Sequence, residues 1–532
     1  MTLTVTETLP TEVTLSTHGL TAEDVVAVAR HGAKVTIAPE ALVEVARVRA
    51  HVEALAASEI PAYGISTGFG ALANLHIPQD KRTQLQKSLI RSHAAGMGPA
   101  VETEVARALM FLRAKTLASG RTGVRPVVLE TFVAFLNTGI TPVIREFGSL
   151  GCSGDLAPLS HVALVLMGEG EAFGPDGERF GGAGERPVAE LLAVHGIEPI
   201  VLAEKEGLAL VNGTEGMLGM LLMALADLRK LVKTADVTAA LSVDGLMGTD
   251  QVFLPELHAA LRPHPGQADS AANMLAVLRD SAIVASHKEG DSRVQDAYSL
   301  RCAPQVAGAV RDTIAHAETV AQRELAAAID NPVVLPDGRV SSNGNFHGAP
   351  VAYVLDFLAI GAADLASMAE RRTDRMLDPA RSHGLPAFLA HDPGVDSGLM
   401  IAQYTQAGLV SDMKRLAVPA SVDSIPSSAM QEDHVSMGWH AARKLRKAVE
   451  NLRRVLAIEL VTAARAIDIR TAASDGALVP GPGGAAAIEV LRQTVAGPGT
   501  DRFMSPELEA ADRVLAGGEF VAAVSAAVGG LR

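Results

Sequence analysis

A long amphipathic repeat between Gly438 and Arg470 constrains the fold more than any other feature of the sequence. Apolar side chains recur there at spacings of three and four residues: Leu445, Val449, Leu452, Leu456 and Leu460. This period puts the apolar residues on one face of an α-helix, and the segment is longer than an average globular helix. It therefore predicts a long helix that packs against a large apolar surface.

The same helical pattern recurs in five further stretches, at Leu42–Leu55, Val101–Ala118, Gly216–Ala235, Val306–Ala328 and Pro350–Arg375. Alternating patterns typical of strands are few and short, at Val13–Ser16, Lys34–Ile37 and Val333–Val340. Glycine and proline mark a surface loop or hairpin at Phe173–Arg186 and a break at Val479–Gly484. These patterns predict a mainly α protein built from long helices.

Composition excludes several classes of protein. The chain has 532 residues, a formal net charge of -14 and two cysteines, and 48% of its residues are hydrophobic. It is too apolar to be disordered, and two cysteines cannot form a disulfide framework or a four-thiolate zinc site. The acidic balance argues against a surface for nucleic acid or for anionic membranes. The mean hydropathy of +0.23 fits either alanine-rich helices or surface hidden between subunits.

The sequence carries no pattern that directs it to a membrane. Its first residues lack the basic and apolar regions of a signal peptide. The apolar runs at Met217–Ala226 and Val351–Gly361 are too short or carry a charge such as Asp356, whereas a membrane span needs about 20 nearly uncharged residues. We therefore expect a cytoplasmic protein.

Two segments break the helical pattern with glycines and polar side chains. The first, Tyr63-Gly-Ile-Ser-Thr-Gly-Phe-Gly, lacks the following Gly-Lys-Ser/Thr of a phosphate-binding loop, so a structural turn is the simpler interpretation. The second runs from Gly148 to His161. It fits a turn that leads into a helix capped by Asp155. It fits a serine-hydrolase elbow poorly, because that motif needs glycine where Asp155 stands.

A third interpretation of the second segment gives it a distinct chemistry. In Cys152-Ser153-Gly154 the glycine has no Cβ, so its nitrogen can fold back onto the carbonyl of Cys152. Ring closure with loss of two waters would give a methylidene-imidazolone, a strong carbon electrophile that ordinary side chains cannot supply. The tripeptide alone is weak support for this interpretation.

Several blocks together resemble the aromatic amino-acid ammonia-lyases, in which Ala-Ser-Gly usually forms this electrophile. The segment from Gly151 to His161 is similar to the signature of that family, and Tyr63–Gly70 resembles its tyrosine loop. Further matching blocks surround Asn212, Gln295–Gln305, Asp330–Pro332, Ser342–Gly348 and Gln431–Met437. The blocks stand in family order and cover the chain from about Tyr63 to Arg470.

The resemblance implies a fold and a set of site residues. The fold would be a long-helix bundle of the ammonia-lyase (fumarase/aspartase-like) type, with an N-terminal mixed region at 1–200, a central bundle at 201–475 and a C-terminal helical segment at 476–532. Cys152, Ser153 and Gly154 would form the electrophile, without an external cofactor or a metal. Tyr63 would take the β-proton and Arg301 would bind the substrate carboxylate. The residues that would line or order the site are Asn212, Gln295, Tyr298 and Phe346.

The resemblance also points to a substrate. The pair Ser92-His93 and the carboxylate of Glu432 resemble the histidine-specific members, whereas phenylalanine and tyrosine enzymes carry an amide at the position of Glu432. A charged carboxylate facing a phenyl ring would be buried without a partner, but facing an imidazole N–H it gains a charge-assisted hydrogen bond. We therefore expect elimination of ammonia from L-histidine to give trans-urocanate.

Alternatives to this expectation stay open. Another aromatic amino acid or an aminomutase reaction would fit the same blocks, and a serine hydrolase or a non-catalytic helical scaffold would be of a different class. Three positions depart from the family pattern: Cys152 replaces alanine, Ser66 stands where asparagine is frequent, and Met430 also replaces an asparagine. Family enzymes are homotetramers whose sites combine three subunits, and we expect the same here, with no nucleic acid or membrane as partner.

Overall fold

A computed structural model of the chain describes residues 9–58, 63–68, 74–182, 186–291 and 293–532. Phe69 and Gly70, the last two residues of the segment that begins at Tyr63, lie outside the described residues, as do the first eight residues of the chain.

Helices make up most of the described structure, which confirms the mainly α prediction. In chain order they are α1 (Ala22–His31), α2 (Pro39–Ala56), α3 (Arg82–His93), α4 (Thr103–Ala118), α5 (Pro126–Asn137), α6 (Leu156–Leu166), α7 (Val188–Val194), α8 (Glu206–Val211), α9 (Glu215–Gly245), α10 (Pro265–Leu278), α11 (Ala282–Ala285), α12 (Tyr298–Arg301), α13 (Ala303–Ala326), α14 (Ala349–Leu377), α15 (Met400–Leu416), α16 (Gly438–Ala473), α17 (Pro482–Arg492), α18 (Ser505–Ala516) and α19 (Glu519–Val528). All six stretches with a helical period form helices.

Short strands form small separate sheets. They are β1 (Glu12–Leu15), β2 (Lys34–Ile37), β3 (Met97–Ala100), β4 (Thr141–Pro142), β5 (Arg145–Phe147), β6 (Glu171–Phe173), β7 (Arg179–Gly181), β8 (Val333–Val334) and β9 (Val340–Ser341). β1 pairs parallel with β2, from Glu12 opposite Lys34 to Leu15 opposite Ile37, while β3–β5, β4–β6–β7 and β8–β9 are antiparallel. β6 and β7 form the hairpin expected near Phe173. β8 and β9 form a second hairpin around Pro336-Asp337-Gly338, within the strand pattern at Val333–Val340.

A buried polar cluster joins the C-terminal halves of the three longest helices. Arg372 of α14 and Glu459 of α16 form an ion pair, in which Nε and Nη2 donate over 2.5 and 3.1 Å, and both side chains are at most 1% exposed. The same carboxylate accepts from Thr238 and Ser242 of α9 at 2.7 and 2.8 Å. Because every oxygen of the carboxylate has partners, the cluster fixes how the three helices align.

The long helices have a common polarity. α9, α14 and α16 all begin near the segment from Gly148 to Asp155. They end together at the opposite end of the bundle, where Arg470 Nε donates to the carbonyl of Gly245 over 2.8 Å. α13 runs the other way, since Thr214, just before α9, donates to Glu324 near the end of α13 over 2.5 Å. The residues that directly precede α9, α14 and α16 therefore lie together at one end of the bundle.

Among the described residues, α14 is long and apolar enough to cross a membrane by length and composition, and 61% of its most apolar stretch is buried inside the protein. Its one early charge, Asp356, is also buried and accepts from the Lys444 ammonium at 2.8 Å. Packing of this kind is typical of the core helix of a large bundle.

Candidate active site

The tripeptide Cys152-Ser153-Gly154 lies at the end of the bundle where α9, α14 and α16 begin. On its N-terminal side, the carbonyl of Gly151 accepts hydrogen bonds from the Gly348 N–H at 3.3 Å and from the Ser436 hydroxyl at 2.8 Å. Residues just before α14 and α16 therefore fix the backbone that enters the tripeptide.

On its C-terminal side the tripeptide is in backbone contact with Gly213. A Cβ added at Gly154 would lie 2.2 Å from the carbonyl oxygen of Gly213, and Gly154 has a φ of +79°. The N–H of Asp155 donates to the same oxygen at 2.7 Å. Only glycine fits here, on grounds of both space and backbone conformation, which is the residue that ring closure through an unhindered nitrogen requires.

Asp155 directly precedes α6 at the expected N-cap position, but its side chain does not cap that helix. The carboxylate instead accepts from the Ser149 hydroxyl at 2.8 Å and from the Met217 N–H of α9 at 2.9 Å. Complete burial raises its pKa to about 7, against the opposing effect of these hydrogen bonds. The side chain thus ties the exit of the tripeptide to the first turn of α9.

Glu432 reaches the tripeptide from the loop before α16. The Ser153 hydroxyl donates to Glu432 Oε1 at 3.0 Å, and the Ser427 hydroxyl donates to Oε2 at 2.9 Å. Burial, reinforced by this carboxylate, raises the pKa of the Cys152 thiol to about 12. The thiol is therefore neutral.

His93, the last residue of α3, lies near the same carboxylate. Its Nδ1 is 3.0 Å from the Ser92 hydroxyl, which itself donates to the carbonyl of Leu89 at 3.0 Å. The hydroxyl therefore accepts from Nδ1, which assigns the proton to Nδ1 and leaves Nε2 as an acceptor. Burial lowers the pKa of His93, although Glu432 acts in the opposite direction. The pocket thus combines a neutral imidazole with a carboxylate.

Asn212 and the Tyr63 segment meet at this end as well. Asn212 Nδ2 donates to the carbonyl of Asn331 at 2.8 Å, and among the described residues its buried Oδ1 has no hydrogen-bond partner. The residue after Tyr63, Gly64, packs so closely on α8 that a Cβ there would lie 2.5 Å from Leu208 Cδ1. Since α8 leads directly into Asn212, Asn212 and Gly64 both lie at the end of the bundle that carries the tripeptide.

Phe346 also belongs to this end. It is half-buried and stands two residues before Gly348, whose N–H donates to Gly151.

Three of the expected site residues, Gln295, Tyr298 and Arg301, lie at the other end of the bundle. Asp296 accepts from the Thr249 N–H, just beyond α9, at 2.8 Å, and the carbonyl of Ser299 accepts from Arg372 near the end of α14. α9 has 31 residues, and a helix rises about 1.5 Å per residue, so roughly 45 Å separates the two ends. One chain cannot bring all its expected site residues together.

Arg301 is oriented at that distant end. Its guanidinium carbon lies 4.6 Å from the centroid of the Tyr298 ring, a cation–π distance. The Tyr298 side chain is 69% exposed, and Arg301 Nε is buried without a hydrogen-bond partner in the described part of the chain. The pair therefore presents an oriented cation at the surface of the chain.

Sequence reasoning missed Ser427, Ser436 and Gly213, which hold Glu432 and the tripeptide. The backbone just before Glu432 is also unexpected, because Ser428, Ala429 and Met430 all have a positive φ, between 51 and 70°. A left-handed turn of three non-glycine residues is costly, and such conformations cluster at functional sites. The stretch contains no glycine that could have signalled it.

Comparison with known proteins identifies the family. The family model described as "Aromatic amino acid lyase" matches residues 20–493. The chain belongs to the aromatic amino acid lyase family. It is similar to a protein of Streptomyces avermitilis named "Histidine ammonia-lyase", with 66% identity over 98% of this chain and 99% of the relative. A protein of Gloeobacter violaceus with the same name is 49% identical over 96% of this chain and 97% of the relative.

Solved structures of this lyase family share the fold. A tyrosine aminomutase from Streptomyces globisporus superposes with a TM-score of 0.89 at 39% identity, covering 97% of this chain and 99% of that chain. A histidine ammonia-lyase from Trypanosoma cruzi gives 0.87 at 37% identity, covering 96% and 95%. These neighbours confirm the ammonia-lyase fold, and the family with its named relatives makes the chain a carbon–nitrogen lyase.

Proposed function

We propose that this chain removes ammonia from L-histidine to give trans-urocanate, the first step of histidine degradation. The observation that carries the proposal is Glu432, whose carboxylate contacts Ser153 of the tripeptide and lies near a neutral His93. A substrate imidazole N–H would give this carboxylate a charge-assisted hydrogen bond of about 1.5–3 kcal/mol. A phenyl ring would leave Oε1 of this carboxylate without a donor. The relatives named "Histidine ammonia-lyase" support the same substrate.

The electrophile would come from the chain itself by a ring closure that needs no oxidant. The nitrogen of Gly154 bonds to the carbonyl carbon of Cys152, whose oxygen leaves as water with the amide hydrogens of Gly154 and Ser153. Ser153 then loses its hydroxyl and its α-hydrogen as a second water, which leaves a methylidene carbon. The residues fit this group, because Gly154 lies in a gap that any Cβ would fill. The finished methylidene-imidazolone supplies a carbon electrophile for the substrate amine.

The loss of the Ser153 hydroxyl that follows ring closure also prepares the pocket for its substrate. The hydroxyl that leaves Ser153 is the one that donates to Glu432 Oε1 in the unprocessed chain. Its loss frees Oε1 to accept from the imidazole, while the Ser427 hydroxyl keeps Oε2 in place. His93, with its proton on Nδ1, offers Nε2 as a second acceptor for an imidazole N–H.

The remaining residues bind the substrate and take its proton. Tyr63 accepts the β-proton, and Oδ1 of Asn212, which has no partner in the described part of the chain, accepts from the substrate amine. Arg301 binds the carboxylate, since a guanidinium can do so through two parallel hydrogen bonds. Gln295 and Tyr298 order the same end of the substrate, and Phe346 packs beside the tripeptide.

A complete site then requires more than one chain. The tripeptide, His93 and Glu432 lie roughly 45 Å from Tyr298 and Arg301 of the same chain, so another copy contributes the carboxylate clamp. A homotetramer with shared sites accounts for this separation. It would also cover exposed apolar side chains on neighbouring faces of α14 and α15, which are Tyr353, Phe357, Ile360, Ile401 and Tyr404. The chain would act in the cytoplasm.

An aminomutase is the second candidate, because solved structures of a tyrosine aminomutase and a phenylalanine aminomutase share the fold at 39% and 32% identity. The test is an ultraviolet assay of the purified chain with L-histidine, L-phenylalanine and L-tyrosine in parallel, with chromatography for β-amino acids. We expect trans-urocanate from histidine as the dominant product. A β-amino acid as the main product would make the chain an aminomutase, and no turnover would favour a scaffold.

A further inference from the structure

Arg113 of α4 is completely buried and joins the segments around the tripeptide. Its Nε donates to the carbonyl of Ala209 at 2.8 Å. Its Nη1 donates to the carbonyl of Asn212 at 2.9 Å, to Glu215 Oε1 at 2.8 Å and to the carbonyl of Ile329 at 3.2 Å. One guanidinium therefore fixes the end of α8, the first turn of α9 and the peptide bond that links Asn212 to Gly213.

Gly213 is enclosed between this ion pair and the tripeptide. A Cβ at Gly213 would lie 2.1 Å from Glu215 Oε2 and 2.5 Å from Arg113 Nη1. On the other side, the Gly213 carbonyl lies where a Cβ of Gly154 would be. The Gly213 backbone is thus packed tightly against both the Arg113–Glu215 pair and Gly154.

Ring closure needs this kind of constraint, because an amide nitrogen is a poor nucleophile. Well-oriented intramolecular reactions reach effective molarities of about 10⁵–10⁸ M, and a misplacement of about 1 Å can remove much of that advantage. The entry to the tripeptide is held by Gly348 and Ser436 through the carbonyl of Gly151. The exit is held by the Asp155 carboxylate, which accepts from the Met217 N–H, and by the contact of Gly154 and the Asp155 N–H with the Gly213 carbonyl.

From these contacts we infer that Arg113 is a positioning residue for ring closure. With Glu215 as its partner, it holds the Gly213 peptide against Gly154, so that the Gly154 nitrogen stays close to the carbonyl carbon of Cys152. Arg113 touches neither the substrate nor the reacting atoms, and acts on the formation of the electrophile rather than on turnover. The inference rests on the electrophile of the proposed function.

The chain offers a matched control in Arg372. It is also a buried arginine paired with a buried glutamate, Glu459, but it lies towards the far end of α14, away from the tripeptide. Arg113→Met and Arg372→Met each remove one buried guanidinium and leave one buried carboxylate unpaired. Both should therefore lower the stability of the fold.

The experiment follows the intact mass of the full-length chain during cell-free synthesis, in the folded fraction isolated by size-exclusion chromatography. Ring closure and the following loss of the Ser153 hydroxyl make each chain lighter by one water each, two waters in all. We expect Arg372→Met to form the electrophile as fast as the wild type. We expect Arg113→Met to form it at least roughly tenfold more slowly. Arg113→Lys keeps the charge but cannot reach all four acceptors, and we expect it to be slowed as well.

Processing of folded Arg113→Met at the wild-type rate would overturn the inference. If Arg113→Met does not fold, Arg113→Lys takes its place, and electrophile formation at the wild-type rate in that variant would overturn the inference. If neither folds, Arg113 is a folding residue and the inference is also overturned. Equal slowing in Arg372→Met would show a general effect of lost stability, which again contradicts it. A wild-type chain that is not two waters lighter would instead remove the electrophile of the proposed function.

Discussion

The hydroxyl of Ser153 donates a 3.0 Å hydrogen bond to the carboxylate of Glu432, 279 residues further along the chain. The contact joins the serine that would supply the methylidene carbon to the carboxylate that would select the substrate. Both groups therefore belong to one chain, whereas Arg301, which would bind the substrate carboxylate, lies at the opposite end of the bundle.

Replacement of Glu432 should separate substrate selection from electrophile formation. Glu432→Gln removes a charged acceptor for the imidazole, worth about 1.5–3 kcal/mol, so we expect kcat/KM for L-histidine to fall roughly 10- to 100-fold. Any residual turnover of L-phenylalanine should change little or rise. The measurement is kcat/KM for both substrates, with intact mass as a check that processing is complete.

A matched control for that variant is Glu450→Gln on the surface of α16, where the carboxylate pairs with Arg454 alone among the residues that the structure describes. It should leave both substrates unaffected. Equal losses of histidine and phenylalanine turnover in Glu432→Gln would contradict the role of Glu432 as imidazole partner.

The contact between Gly154 and Gly213 predicts a strict requirement for glycine. Gly154→Ala would put a Cβ 2.2 Å from the Gly213 carbonyl oxygen in a left-handed conformation, so we expect the chain to stay at its unprocessed mass. Gly177→Ala is the control, because Gly177 has a similar φ of +84° with nothing within 4 Å of the added Cβ. It should cost about 1 kcal/mol of stability and process fully. A processed Gly154→Ala chain would refute the packing argument.

The separation of the two halves of the site predicts complementation between inactive variants. Ser153→Ala and Arg301→Ala should each be inactive alone, but co-expression should restore up to roughly a quarter of wild-type activity if subunits assort randomly in shared sites. Co-expression of Ser153→Ala with Glu432→Ala should give no gain, because both groups are needed from the same chain. No recovery in the first mixture would mean that each site is built within one chain.

Asp244, near the end of α9, predicts a pH dependence of stability. Its Oδ1 accepts from the Ser281 hydroxyl at 2.7 Å, Oδ2 is buried without a partner among the described residues, and burial raises the pKa to about 7. The folded state therefore favours the protonated form. The free energy of unfolding loses up to about 1.4 kcal/mol per pH unit as the pH rises from about 4 to 7.

Asp244→Asn mimics the protonated carboxyl and should remove this contribution. The variant should gain stability relative to the wild type as the pH rises through that range, measured as Tm against pH. A Tm difference that does not change with pH would show that Asp244 does not titrate in this way.

The helical period was sufficient to predict the bundle, because the apolar faces of α9, α14 and α16 repeat over many turns. The strands β3, β4 and β5 were not predicted, since their two to four residues carry too few alternating positions. The left-handed turn at Ser428–Met430 was equally unsignalled, because none of its three residues favours a positive φ.

The site was predictable only in part. Motifs pointed to the tripeptide, His93 and Glu432, which the structure brings together at one end of the bundle. The same motifs gave no indication that Tyr298 and Arg301 lie at the other end, because the direction of each helix follows from packing over the whole bundle. Arg113 carried no signal either, as an arginine in a largely apolar helix does not reveal which carbonyls it will bind.

The most direct measurement is the stoichiometry of the reaction with L-histidine. The purified wild-type chain should release one trans-urocanate and one ammonia for each histidine consumed, and Ser153→Ala, which cannot form the methylidene carbon, should release neither although it folds. Full activity of Ser153→Ala, or histidine consumption by the wild type without equimolar ammonia, would contradict the account.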